Sequence, residues 1–300
     1  MNKMAFLGFF ACLLGLWLSS NIQPVWAEPA GSNSIIEMIE ASAENEQLPV
    51  SIQIFGGEPI NPDYFPWTLK FEYRDLQGKL QLCTATVVGE QVVFVAAHCV
   101  GANHSVIVRL RGHEKSYGLA CKPNPKFDSP HGSYKADLMI CRSDRKFPTT
   151  KMFESVNFSE VKRDTELFLL GYGCRDLNDE KRKTIGTLIG GSAKVNRVDN
   201  KHVITKGKEW DTPSTVGSDV VVCPGDSGGG VYLITEGRIT ETRGRSIIGV
   251  VSLFFPEERE SFITAFSLPE NQEFINEWSQ DEDNIGIWIC GVHPEAKNCR

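Results

Sequence analysis

From Phe65 onward, apolar and polar positions either alternate or gather into short apolar runs. Thr68-Leu69-Lys70-Phe71-Glu72-Tyr73 alternates, the mark of a strand with one buried face. Val87–Val95, Val106–Leu110, Leu138–Cys141, Glu166–Leu170, Ile185–Ile189 and Val203–Thr205 are β-branched or aromatic runs between turn signals. Val220–Cys223, Val231–Ile234, Ile247–Leu253 and Phe262–Phe266 continue the series. Many short strands with regular turns predict an all-β sandwich or barrel. Only Pro269–Gln280 has clear helical spacing, with Phe274, Ile275 and Trp278 on one face. Ser34–Glu44 allows a short amphipathic helix inside the otherwise polar stretch Glu28–Gln53.

The start of the chain reads differently. Met1–Ala27 carries Lys3, an apolar run from Ala5 to Leu18, and the ending Val25-Trp26-Ala27. This predicts a secretory signal peptide cut after Ala27. The apolar run is short for a membrane span, and no later run is long enough. The mature chain is therefore expected to be secreted or periplasmic, with no stable membrane insertion. Loss of Cys12 with the leader leaves eight of the nine cysteines, an even number that favours disulfides over metal or redox roles.

The net charge of −7 is spread among mixed charges, with no basic cluster interleaved with aromatics, so nucleic acid is not an expected partner. Lys181-Arg182-Lys183 reads as a solvated face or a site of nicking. No metal-ligand cluster is evident, and neither metal nor organic cofactor is expected.

The densest chemistry lies in Cys223-Pro224-Gly225-Asp226-Ser227-Gly228-Gly229-Gly230. A serine among glycines can be approached closely by a substrate. The amides of Gly225 and Ser227 can point into one space and stabilise the oxyanion formed when a hydroxyl attacks a carbonyl. A plain glycine turn between strands would look the same. A serine also needs a base, and the base needs a holder. His98 ends the apolar run Val92-Val93-Phe94-Val95-Ala96-Ala97 and precedes Cys99. The other five histidines sit in polar surroundings and read as surface residues. Asp137 opens the apolar run Leu138-Met139-Ile140; an acid there is costly unless paired, and an imidazole is one partner. A structural cap is the other reading of Asp137.

The order His98, Asp137, Ser227 is that of the chymotrypsin arrangement. The chain resembles the trypsin/chymotrypsin-like serine proteases in Ala96-Ala97-His98-Cys99, Ala136-Asp137-Leu138 and Gly225-Asp226-Ser227-Gly228-Gly229. Ile54-Phe55-Gly56-Gly57, Phe65-Pro66-Trp67, Gly171-Tyr172-Gly173 and Gly249-Val250-Val251-Ser252 add to the likeness, which runs from about residue 54 to about 280. The resemblance implies two six-stranded antiparallel β-barrels, with the active site in the cleft between them and a C-terminal helix. It implies a serine endopeptidase acting on proteins or peptides through His98, Asp137 and Ser227, with Gly225 and Ser227 as the oxyanion hole. Ser252 would hydrogen-bond Asp137 and line the substrate strand. Val221, six residues before Ser227, would form the base of the primary pocket, and Phe254 its wall. That pairing favours cleavage after small or medium apolar residues.

The resemblance further implies a zymogen. Residues 28–53 would be a pro-segment, and cleavage after Gln53 would free an Ile54 amine to pair with Asp226. Gln53 departs from the basic residue that usually precedes such a cut, so a different activating protease, or no cut, would apply. The resemblance supports a Cys83–Cys99 disulfide. Cys121–Cys141 would link neighbouring strands, Cys174–Cys223 would tie the nucleophile loop, and Cys290–Cys299 would close the tail 281–300. Two other readings share these residues: a non-catalytic binding protein on the protease fold, and an esterase with the same triad.

Overall fold

The computed structural model describes residues 54, 56–74, 80–100, 105–109, 116–127, 134–173, 187–208, 217–236 and 244–300. The stretches expected to form a signal peptide (residues 1–27) and a pro-segment with a short helix at 34–44 (residues 28–53), and Lys181-Arg182-Lys183, lie outside them. The first group of strands is β1 (Glu58–Pro59), β2 (Thr68–Arg74), β3 (Leu80–Gly89), β4 (Val92–Val95), β5 (Ser105–Arg109), β6 (Ser116–Pro123) and β7 (Met139–Ser143). The second is β8 (Glu166–Gly171), β9 (Ile189–Val198), β10 (Val203–Lys206), β11 (Gly230–Ile234), β12 (Arg245–Phe255) and β13 (Glu260–Ala265). One α-helix, α1 (Pro269–Gln280), follows.

Strands β2-β3-β4-β7-β6-β5 form one six-stranded sheet. Strands β8, β9, β10, β13, β12 and β11 pair in a closed ring, because β9 also bonds β8, and β1 adds to the outside of β9. The protein is thus mostly β, with two six-stranded units and a C-terminal helix. The second unit is a closed barrel; among the described residues the first runs from edge β2 to edge β5.

Period-two geometry explains why some strands are apolar throughout. In β4, Val93 and Val95 face the core of the first sheet, while Val92 and Phe94 face a second cluster shared with β8, β11 and α1. In β8, Leu167 and Leu169 enter the barrel core, while Phe168 and Leu170 join the shared cluster. Strands covered on both sides need no polar face. The shared cluster joins the two units and receives Phe274, Ile275 and Trp278 of α1, as the helical spacing predicts.

Three local expectations are corrected. Val87–Val95 is not one strand but the hairpin β3–β4, turning at Glu90-Gln91, because both limbs are apolar and hide the turn. Val220–Cys223 is not a ladder strand. Its amides are met singly, Val220 by the Ser192 carbonyl at 3.1 Å and Val222 by the Ser261 hydroxyl at 3.0 Å. The run expected at Ile185–Ile189 meets a strand only at Ile189, where β9 begins and continues to Val198 through an unpromising Gly190-Gly191-Ser192; residues 185–186 lie outside the described residues.

Disulfides join Cys83 to Cys99, Cys121 to Cys141 and Cys290 to Cys299. Cys121 and Cys141 face each other across β6 and β7. Cys223 is also disulfide-bonded, and Cys174, its expected partner, lies outside the described residues.

Candidate active site

His98 sits on a single 3-10 turn, Ala97–Cys99, directly after β4. Buried Ala96 and Ala97 leave room for the chain to turn against the core, and the Cys83–Cys99 disulfide ties the turn back to β3. Asp137 lies just before β7, and its neighbour in the core is Leu138. Because β4 and β7 pair, both residues emerge at the same end of the sheet.

Asp137 is fully buried, and its hydrogen bonds explain how that is tolerated. Its Oδ1 accepts the His98 backbone N–H at 2.9 Å. Its Oδ2 accepts from the His98 ring at Nδ1, 2.7 Å away, and from the Ser252 hydroxyl at 2.6 Å. Burial pushes the Asp137 carboxyl up, but the His98 charge and these hydrogen bonds outweigh it and hold the group below the usual carboxylate range. With Nδ1–H committed to Asp137, the neutral imidazole presents Nε2 as the proton acceptor.

Ser227 arrives from the barrel. Its loop turns through bonds from Asp226 N to Cys223 O at 3.0 Å and from Gly229 N to Asp226 O at 2.8 Å. Gly225 and Gly228 have φ of 105° and 82°, the left-handed region that glycine enters without strain. The Ser227 hydroxyl donates to the Ser252 carbonyl at 3.3 Å. Ser227 and His98 line one cavity of about 240 Å³ with Tyr134, Val222, Cys223, Pro224, Val251, Ser252, Leu253 and Phe254. The sulfurs of Cys83 and Cys99 lie near the His98 ring but are bonded to each other, so this cluster offers no thiolate ligand.

The chain belongs to the trypsin family, whose model matches residues 54–269.

Granzyme C of Mus musculus is 25% identical over 142 residues, which cover 44% of this chain and 57% of that protein. The chain thus spans little more than half of that relative. Phenoloxidase-activating enzyme 1 of Spodoptera litura is 21% identical over 268 residues, 78% of this chain and 69% of that enzyme. Among solved structures, HL collagenase aligns with a TM-score of 0.57 at 15% identity, covering 78% of this chain and 99% of that one. At that identity the likeness speaks to the fold.

Of the site residues expected within this trypsin-family chain, His98, Ser227, Ser252 and Phe254 meet at the cavity, with Asp137 directly behind His98. Val221 lies behind the lining, its side chain toward Gly207, and Val222 takes the place at the cavity wall. Ile54 is buried with Val220, Val222 and Val231 in the barrel core. Asp226 is fully buried, and its oxygens accept from the amides of Gly173 and Cys223, each at 2.8 Å. Burial raises its pKa to about 7 against the pull of those two bonds.

Two site residues escaped the sequence reading. Tyr134 has φ of 46° and sets its ring edge-on to His98, with centroids 5.6 Å apart. His202, expected at the surface, is buried, and its Nε2–H donates to the Tyr134 carbonyl at 3.2 Å. The buried run Val203-Ile204 that follows was the available signal for His202. Nothing in the local pattern marked Tyr134.

Proposed function

We propose that the protein is an exported serine endopeptidase working through His98, Asp137 and Ser227. The observation that carries this reading is the hydrogen-bonded line from Ser252 through Asp137 to His98, ending at a cavity that also holds Ser227. Among the described residues His98 is the base that lines this cavity together with that serine. Catalytic hydrogen bonds often tighten only when substrate is bound, so the Ser227 hydroxyl leaves the Ser252 carbonyl for His98 in the Michaelis complex.

His98 takes the Ser227 proton at Nε2 as Oγ attacks the peptide carbonyl, and returns it to the leaving amine. Asp137 stabilises the imidazolium and keeps the correct tautomer. The Gly225 and Ser227 amides bind the oxyanion. Water then repeats the steps to release the acyl group. The cavity walls include Val222, Val251, Leu253 and Phe254, and among the described residues the lining carries no charged side chain other than a protonated His98. An apolar residue of small or medium size fits before the scissile bond. The leader, residues 1–27, directs export, and residues 28–53 are a pro-segment removed by an activating protease. The freed Ile54 amine then pairs with Asp226. The protease domain covers residues 54–280, and its partners are protein or peptide substrates.

The test is fluorophosphonate labelling of the exported protein beside Ser227→Ala, with the N-terminus sequenced and a peptide library profiled. Labelling of the wild type alone is expected, with an N-terminus at Ile54 and cleavage after apolar residues. Labelling with an N-terminus at Glu28 would remove the activation step, and efficient cleavage after arginine would remove the pocket assignment. A wild type that never labels would make this a binding protein with an idle triad.

A further inference from the structure

Thr84 lies in the middle of β3, in the first sheet, and is completely buried. On the same face of β3 lies Thr86, equally buried, whose hydroxyl has no hydrogen-bond partner among the described residues; Thr84 is held otherwise. All its polar atoms meet groups of the other unit. Its N–H donates to the Ser227 carbonyl at 2.8 Å. Its Oγ1 donates to the Gly225 carbonyl at 2.9 Å and accepts the Tyr172 N–H at 3.0 Å. Its own carbonyl lies so near Gly228 that an added Cβ there would approach it to 2.1 Å.

We infer that Thr84 is a positioning residue for the oxyanion hole, fixing the Gly225 and Ser227 backbone through their carbonyls. What distinguishes Thr84 is which peptide planes it holds. In the proposed mechanism the two amides that bind the oxyanion belong to Gly225 and Ser227. The plane that follows each is clamped by Thr84, one through the side chain and one through the main chain. Gly225, at a φ open to glycine alone, is the residue most free to rotate, and it receives the hydroxyl. The hydroxyl is itself oriented, because accepting from Tyr172 N–H leaves its proton for Gly225. Asp226, between the two, is held from the Gly173 and Cys223 amides, so the loop is gripped on both sides by neutral donors. Donors aimed before the reaction begins are what make an oxyanion hole effective.

This inference deepens the endopeptidase reading and rests on it for its catalytic part. Three variants test it: Thr84→Val, which keeps shape and loses the hydroxyl, Thr84→Ser, which keeps the hydroxyl, and Thr84→Cys, a weak donor. Each is measured for kcat and KM on a peptide substrate. Each is also measured for hydrogen exchange at Tyr172, Gly228 and Gly229, whose amides bond within this network. Thr84→Val is expected to lower kcat about 10- to 100-fold with KM changed less than about threefold. Thr84→Ser should restore kcat to within about threefold, and Thr84→Cys should fall between. Exchange at all three amides should quicken about tenfold or more in Val and stay near wild type in Ser.

Should the Val variant not fold, Ser and Cys carry the same ordering. Wild-type kcat in Val or Cys would overturn the inference, as would a loss in Ser as large as in Val. Protection of Gly228 and Gly229 unchanged while Tyr172 alone quickens would also overturn it. A wild type inert toward substrate and fluorophosphonate would sink the endopeptidase reading, and the exchange data would still decide whether Thr84 holds the loop.

Discussion

Asp137 and Asp226 are both fully buried carboxylates, and burial acts on both in the same direction. Their neighbours separate them. Asp137 faces an imidazole and a hydroxyl and stays low; Asp226 faces two neutral amides and rises to about 7. Raising a carboxyl from 3.8 to about 7 makes the folded chain bind more protons than the unfolded one between about pH 4 and 7. Stability of the uncleaved chain should therefore fall as pH rises through that window, by about 4 kcal/mol at most, and level off above it. His202, whose pKa burial lowers, acts oppositely: its contribution is present above pH 6.5 and lost below it. Comparing cleaved with uncleaved chain cancels that term. An ammonium at Ile54 would keep Asp226 ionised, so the cleaved form should lose the decline. Denaturant unfolding of both forms from pH 4.5 to 8 measures this, and identical slopes would show that the amine does not reach Asp226. His98, Asp137 and Ser227, the proposed triad, were singled out because the first two stand at breaks in apolar runs and the third lies among glycines. Thr84 and Tyr134 were not, because their roles arise from chain segments far away in sequence.

Among elements, the decisive contact is backbone on backbone, where β3 meets the Ser227 loop. Gly228 donates to the Val251 carbonyl at 2.7 Å and lies against the Thr84 carbonyl. A methyl group at this position has no room, and its φ of 82° is strained for any L side chain. Gly228→Ala should cost about 2–4 kcal/mol and slow fluorophosphonate labelling about 100-fold or more, read from thermal melts and labelling rates. Strand positions were legible for lone apolar or alternating runs such as β2, β8 and β11, but β6, whose polar face carries Ser116, Gly118 and Lys122, was not expected. Nor were they legible where two apolar limbs adjoined, as in β3–β4, or where glycines opened a strand, as in β9. The helix was legible end to end, since Pro269 begins it and its apolar spacing has a single register.

Across the whole molecule, the tail supplies what the barrels lack. The Cys290 amide donates to the Val88 carbonyl and its carbonyl accepts from Val156, each at 2.8 Å, so the tail bridges β3 and the connection between the units. Beside it, Glu154 takes two bonds from Arg245, at 2.8 and 3.3 Å, and lies 3.4 Å from Arg300, all three side chains being buried. Arg245 also stacks 3.9 Å over the Phe65 ring. Removing the Glu154 carboxylate takes from two buried guanidinium groups an acid they share. Glu154→Gln should therefore cost about 3–5 kcal/mol, seen as a lower urea midpoint. None of this was legible from local pattern, because an ion cluster drawn from three distant segments has no periodicity. The Cys83–Cys99 bridge carries a consequence of another kind. The turn bearing His98 is pinned by a bond that reducing cytosol does not allow to persist. A chain retained at its place of synthesis would hold His98 on a loosened hinge, and the proposed peptide-bond chemistry would wait for passage into oxidising surroundings. Geography itself would then serve as a safety catch for the cell that makes it.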